Sequence, residues 1–94
     1  AYLYGSNCMF IQNYIYPTPN YSYCIYADGA SNITVANNWM YYSPGGWAFY
    51  MADNCSGTFY NNITYGSCRF RNCDVYNNII DWNGNGTRDP GEPG

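Results

Sequence analysis

The chain has 94 residues, of which only 10% are charged, with no histidine and a net charge of −3. The positive side is Arg69, Arg71 and Arg88 alone, which argues against nucleic acid or an anionic membrane surface as a partner. The length sets one domain, large enough for a core yet small enough to gain from covalent or metal staples, and no apolar run approaches the ~18 residues of a membrane span.

Taken in order, the chain reads as β throughout. Residues 3–16, rich in Tyr, Ile, Phe and Met, supply one long strand or two, and Pro17-Thr18-Pro19-Asn20 stops them. Residues 21–27 form the next strand, closed by the turn dipeptide Asp28-Gly29. A short strand follows over 32–36. Residues 39–42 and 47–51 flank Ser43-Pro44-Gly45-Gly46 as a hairpin. After a loop at 53–57 come strands at 58–60, 63–70 and 75–80. No window sustains helical periodicity, and Asn, Tyr, Thr and Ile all weaken one. No internal repeat is evident. Seven or eight short strands with regularly spaced turn signals predict an all-β chain with a single β-sandwich over residues 1–80. Residues 81–94 form a separate Pro/Gly-rich end or junction. The uncharged, aromatic N-terminal stretch is either the first strand of this sandwich or a strand donated to a neighbouring subunit's sheet.

The cysteines Cys8, Cys24, Cys55, Cys68 and Cys73 form no C-x2-C pair, which with the missing histidine disfavours zinc. Their density points to an oxidising compartment. Two disulfides with one thiol left over can be drawn in about fifteen ways; the odd thiol is either buried or bridges to another chain. Five N-x-[S/T] sequons start at Asn20, Asn32, Asn54, Asn62 and Asn85, where chance placement predicts roughly two. The first four read as N-glycan carriers of a secreted or surface protein; Asn85 is claimed by the loop described next. Thr18 is a lesser candidate for an O-linked sugar. The chain starts at Ala1 rather than Met, as after removal of a leader or in a fragment.

From Asp81 to Glu92 the sequence is Asp-Trp-Asn-Gly-Asn-Gly-Thr-Arg-Asp-Pro-Gly-Glu. Oxygen-bearing side chains fall at positions 1, 3, 5, 9 and 12, glycine at the sharp turn of position 6, and a carbonyl donor at position 7. That spacing wraps a hard cation in six or more oxygens, as calcium demands. The ligands are Asp81, Asn83, Asn85, Asp89 and Glu92 through side chains and Thr87 through its carbonyl. Two asparagines in place of aspartates lower the loop's charge and set an affinity in the weak extracellular range, roughly 10⁻⁴–10⁻³ M. The loop matches the EF-hand pattern, but Pro90, Gly91, Pro93 and Gly94 propagate no following helix. It resembles more closely the calcium loops of bacterial surface adhesins. In that family such loops sit at the ends of β-sandwich domains and rigidify the joints between them. In general character the chain resembles a protomer of a glycan-coated extracellular fibre with pilin-like β folding.

These features predict a structural subunit or repeat of a secreted, N-glycosylated filament or surface layer. Its partners are copies of itself, joined by β-strand addition, with calcium stiffening the junction. The rival is a calcium-dependent carbohydrate-binding module that offers Trp39, Trp47 and Trp82 with Tyr41 or Tyr42 as platforms for sugar rings. Without histidine the Ser-His-Asp and Cys-His arrangements are excluded. The carboxylates outside the loop, Asp28, Asp53 and Asp74, read as surface chemistry rather than as a catalytic pair.

Overall fold

A computed structural model of the protein describes residues 1–15, 23–41 and 47–81. Those residues form twelve strands and no helix. They are β1 (Tyr2–Ser6), β2 (Met9–Ile11), β3 (Tyr14–Ile15), β4 (Tyr23–Ser31), β5 (Ile33–Ala36), β6 (Trp39–Tyr41), β7 (Trp47–Met51), β8 (Gly57–Tyr60), β9 (Ile63–Tyr65), β10 (Ser67–Arg69), β11 (Cys73–Tyr76) and β12 (Ile79–Asp81). The all-β expectation holds. The pairing differs from that of a sandwich built of antiparallel strands: every ladder is parallel. Three sheets form, in the orders β1-β4-β7-β10, β2-β5-β8-β11 and β3-β6-β9-β12. The chain visits them in rotation and so winds four coils of a three-sided solenoid, coil 1 from β1–β3 through coil 4 from β10–β12.

Three local expectations change with this topology. The strands on either side of residues 43–46 do not make a hairpin, because β6 lies in the third sheet and β7 in the first. Asp28-Gly29 does not close a strand: β4 runs through it to Ser31, with Gly29 at φ 63°. The register slips there, Leu3 facing Ala27 but Gly5 facing Ala30, so the dipeptide is a bulge inside a strand. The N-terminal strand β1 pairs with β4 of its own chain.

The chain does carry an internal repeat. Along the third sheet Tyr14 stands beside Trp39, Trp39 beside Ile63, and Ile63 beside Ile79, steps of 25, 24 and 16 residues (14 to 39, 39 to 63, 63 to 79). Each coil turns from the second sheet to the third on a doublet: Gln12-Asn13, Asn37-Asn38, Asn61-Asn62 and Asn77-Asn78. The first member of each doublet is left-handed, at φ 58°, 58°, 56° and 55°, a conformation that asparagine tolerates better than other side chains do. Asn7, Asn32 and Asn72 turn the earlier corner at φ 62°, 54° and 50°. Much of the asparagine excess is therefore corner chemistry.

The second member of each doublet bonds to an adjacent coil, and in the two middle coils it is buried. Asn38 gives Nδ2 to the Phe10 carbonyl (2.9 Å) and to Asn62 Oδ1 (3.0 Å), while its own Oδ1 accepts the Asn13 backbone N–H (2.9 Å). Asn62 repeats the pattern, with Nδ2 on the Val35 carbonyl (2.9 Å) and on Asn78 Oδ1 (3.2 Å), and Oδ1 on the Asn38 N–H (2.9 Å). Both amides are buried, at 3% and 1% exposure. Their two donors and two lone pairs are all used, which is what makes a buried amide tolerable.

Inside the coils, like positions stack into columns. Phe10, Val35, Phe59 and Val75 form one, and Ile15, Met40, Thr64 and Ile80 another. Phe59 also meets Phe49 and Phe70, with ring centroids 4.7 and 5.0 Å away. Gly57 follows Ile33 in the next column, where an added Cβ would overlap the Ile33 backbone and side chain at 3.0 Å or less.

The ladder makes a sharp contrast between neighbours. Replacing Asn62 by Leu strands the Val35 carbonyl and the Asn38 donors in the interior, at about 1–3 kcal/mol per orphaned group. The expected loss of stability is about 3–5 kcal/mol by urea denaturation. Asn61→Gly, at the exposed left-handed position beside it, should change stability by no more than about 0.5 kcal/mol.

Candidate assembly interface

A solenoid has two ends, and among the described residues the core is less covered at both, except in the first sheet of coil 4, where Ser67 and Cys68 are fully buried. In the middle coils the inward residues Ile25, Ile33, Val35, Met40, Phe49 and Phe59 are all at 0% exposure. The matching residues of the end coils, Leu3, Phe10 and Ile15 in coil 1 and Val75 and Ile80 in coil 4, pack on that core but are only partly buried. The backbone is open too. Thr34 N–H donates to the Cys8 carbonyl, so in the alternation of a parallel ladder Met9 turns its N–H and C=O away from β5. Ile79 N–H donates to the Asn62 carbonyl, which turns the backbone groups of Ile80 outward at the other end. No strand among the described residues pairs with these edges.

The outer faces carry aromatic columns. On the first sheet Tyr2 stacks on Tyr26 (5.6 Å, 17°), Tyr26 stacks on Tyr50 (5.3 Å, 11°), and the Arg69 guanidinium lies 4.9 Å over the Tyr50 ring. On the second sheet Tyr60 stacks on Tyr76 (5.1 Å, 4°). These offset stacks follow from the ~4.8 Å spacing of paired strands. Asp53 takes hydrogen bonds from Arg69 and, at 3.1 Å, from Arg71. Arg69 first, then Arg71, holds its carboxyl below the usual range, but at 81% side-chain exposure the cluster adds little to stability.

The residues expected to act as sites fall in different places. Of the calcium ligands, Asp81 is the last residue of β12, its backbone paired with Tyr65; Asn83, Asn85, Thr87, Asp89 and Glu92 lie outside the described residues, as do Trp82, Tyr42, Thr18 and Asn20. The oxygen-only donor set of that loop suits calcium. Among the described residues no three His, Cys, Asp or Glu side chains gather as a metal site. Asn32 and Asn54 are exposed. Asn32 Nδ2 reaches Asn7 Oδ1 (2.7 Å), while Asn54 uses only its Oδ1, on the Gly29 N–H (2.9 Å). Asn62 is the exception among the sequons: its Nδ2, the atom a sugar would occupy, is buried inside the ladder. Neither Trp39 (41% exposed) nor Trp47 (half-buried) is in the core; Trp39 meets Tyr14 edge-on at 4.4 Å, and Trp47 meets Tyr50 at 5.2 Å. Tyr41 packs on Tyr65 at 5.7 Å.

All five cysteines are free thiols. Cys24, Cys55 and Cys68 are buried, whereas Cys8 and Cys73 sit half-buried in the two end coils. Cys24 donates to the Tyr41 carbonyl and Cys55 to the Ala27 carbonyl. Burial pushes the Cys24 thiol up to about 11 and the Cys73 thiol up to about 12, so both stay protonated and unreactive near neutral pH. Asn13, Asn38 and Asn78 and the edge residues Met9 and Ile80 were not singled out by sequence; the signal that marks the ladder is the recurring doublet ending in Asn.

Glycopeptide mass spectrometry of the native protein should find sugar on Asn54 or Asn32 and none on Asn62. Sugar at Asn62 in folded protein would contradict the ladder. Compared with protein-family models, with curated proteins and with solved structures, the chain matches none.

Proposed function

We propose that this protein is a structural subunit of a secreted, N-glycosylated extracellular filament, its copies joined by β-strand addition with calcium stiffening the joint. The observation that carries the reading is the edge of coil 1, where among the described residues no strand covers the outer side of β1 or β2 and Leu3 and Phe10 are only partly buried. An uncovered edge of this kind templates another strand, and burying the residual apolar surface adds a favourable term to the pairing. Coil 1 carries no charged side chain to blunt its edge. The exposed sequon residues Asn32 and Asn54 lie at the corner between the first and second sheets, on the flank of the middle coils, where a glycan leaves both ends clear. The calcium loop starts at Asp81, the end of the last strand of coil 4, so a bound ion would brace the chain next to that edge.

The rival, a calcium-dependent carbohydrate-binding module, is favoured by one feature. A shallow groove on the third sheet brings Trp39 and Tyr14 beside the amides of Gln12, Asn37 and Asn61.

Electron microscopy in millimolar calcium, with and without EDTA, tests the filament. Ordered filaments that loosen on chelation are expected. Met9→Pro removes an N–H that no strand among the described residues uses, so it should abolish filaments while leaving the melting temperature within a few degrees. Discrete particles in both conditions would overturn the filament and leave the sugar-binding module as the better account.

A further inference from the structure

The outer face of the first sheet carries an aromatic groove beside a glycan acceptor. Ala1, Tyr2, Tyr23, Tyr26 and Asp28 line the groove, which encloses about 680 Å³. Tyr2 lies nearly parallel to Tyr26 (5.6 Å, 17°), and Tyr23 meets Tyr26 edge-on (4.9 Å, 72°). Tyr4 stands against Tyr2 with ring centroids 5.7 Å apart. Tyr2 is 57% and Tyr4 70% exposed, so water meets much of both rings. Asp28 is half-buried. Its Oδ2 accepts the Tyr2 hydroxyl at 3.4 Å, and among the described residues nothing donates to its Oδ1.

Asn54, the acceptor of one sequon, opens onto the same place. Its Oδ1 accepts the N–H of Gly29, the residue after Asp28, at 2.9 Å. Its Nδ2 bonds to nothing among the described residues and lies 3.7 Å from where a side chain on Gly29 would begin. Glycine leaves that space empty. Across the bulge stands Tyr4, since Leu3 pairs with Ala27 and Gly5 with Ala30. The other exposed sequon residue is placed differently, because Asn32 commits its Nδ2 to Asn7 Oδ1 at 2.7 Å.

We propose that an N-glycan on Asn54 folds back over Gly29 onto the first sheet, its first sugars packed on Tyr4 and Tyr2 and one hydroxyl donating to Asp28 Oδ1. This rests on the N-glycosylation in the function proposed above and adds where the glycan lies. A sugar ring carries its hydroxyls around the rim and an apolar C–H face, and laying that face on a phenol ring removes both from water. The rim still reaches the carboxylate, whose charge strengthens the hydrogen bond. Attachment at Nδ2 leaves the Oδ1 bond to Gly29 intact, so the glycan starts from a fixed point and loses less freedom on docking. From Asp28 back to Tyr23 the face runs five residues, about 16 Å at ~3.3 Å each, enough for a short oligosaccharide. The docked glycan covers the outer face of coil 1 and leaves the backbone edge of β1 clear for strand addition.

The test uses protein secreted by a glycosylating host fed ¹³C-glucose. Glycopeptide mass spectrometry reports whether Asn54 carries sugar, and NMR reports where that sugar lies. Nuclear Overhauser contacts from the first sugars to the Tyr2 and Tyr4 rings are expected, with the sugar C–H signals moved upfield by the ring currents. Replacing both tyrosines, Tyr2→Ser with Tyr4→Ser, should abolish them. Asn54→Asp keeps an acceptor for Gly29 and carries no sugar. It should lower the melting temperature by a few degrees with the tyrosines present and leave it unchanged in the double-serine background. Sugar on Asn54 without contact to either ring, or an equal loss in both backgrounds, would overturn the docking while the glycosylation stands. Asn54 without sugar would overturn both. Docked sugar on protein that forms no filaments would support the docking and count against the filament alone.

Discussion

The structure depends on one arrangement: an asparagine at the same corner of every coil, bonded to the neighbouring coils and, in the two middle coils, buried between them. A buried primary amide has two donors and two lone pairs to satisfy. At Asn38 and Asn62 all of these are met by the Phe10 and Val35 carbonyls, by neighbouring ladder amides and by backbone N–H groups of the adjacent coil. Leaving such groups unpaired away from water is expensive, so the ladder admits one alignment of coil on coil. A slip by one residue would orphan the amides and turn every inward side chain out. Parallel pairing, the stacked Phe and Ile columns inside and the stacked tyrosines outside all follow from that alignment.

The scarcity of charge then has a physical reading. A solenoid of four coils offers mostly sheet faces, and here those faces are covered by columns of Tyr and Trp, whose hydroxyls and indole N–H groups supply polarity without charges that would repel their neighbours in register. What stacking cannot do is finish the molecule. Terminal repeats of solenoids need a polar cap to remain separate, and among the described residues coil 1 and coil 4 repeat the pattern of the interior coils with part of the core exposed. The filament reading takes this as the design of the ends, with glycans on the flank and calcium beside coil 4.

Part of this was legible in the sequence. Absence of helical periodicity and the abundance of Tyr, Ile, Val and Thr gave the β class. The coil architecture was hidden by irregular spacing, with steps of 25, 24 and 16 residues, and by two corners longer than the third. Between β9 and β10 lies Gly66 alone, whereas seven residues separate β3 from β4 and five separate β6 from β7 (15 to 23, 41 to 47). Turn residues were visible, but a short turn reads equally well as a hairpin or as a solenoid corner. The doublets lend themselves to other readings, Asn62 to a sequon and Asn77-Asn78 to the interior of a strand over residues 75–80. Only the partner of each asparagine, some 16 to 25 residues away, distinguishes a corner residue from a rung of the ladder. The cysteines show the same limit: count and compartment suggested disulfides, whereas the fold spaces Cys8 and Cys73 three coils apart.

The central claim is that paired asparagines divide into an exposed corner residue and a buried rung, and hydrogen exchange tests it most directly. In an NMR exchange experiment on the folded protein, the side-chain amide protons of Asn38 and Asn62 should be among the slowest to exchange, while those of Asn37 and Asn61 exchange at the rate of an open surface amide. Equal, fast exchange within each doublet would contradict the ladder, and with it the register of every coil.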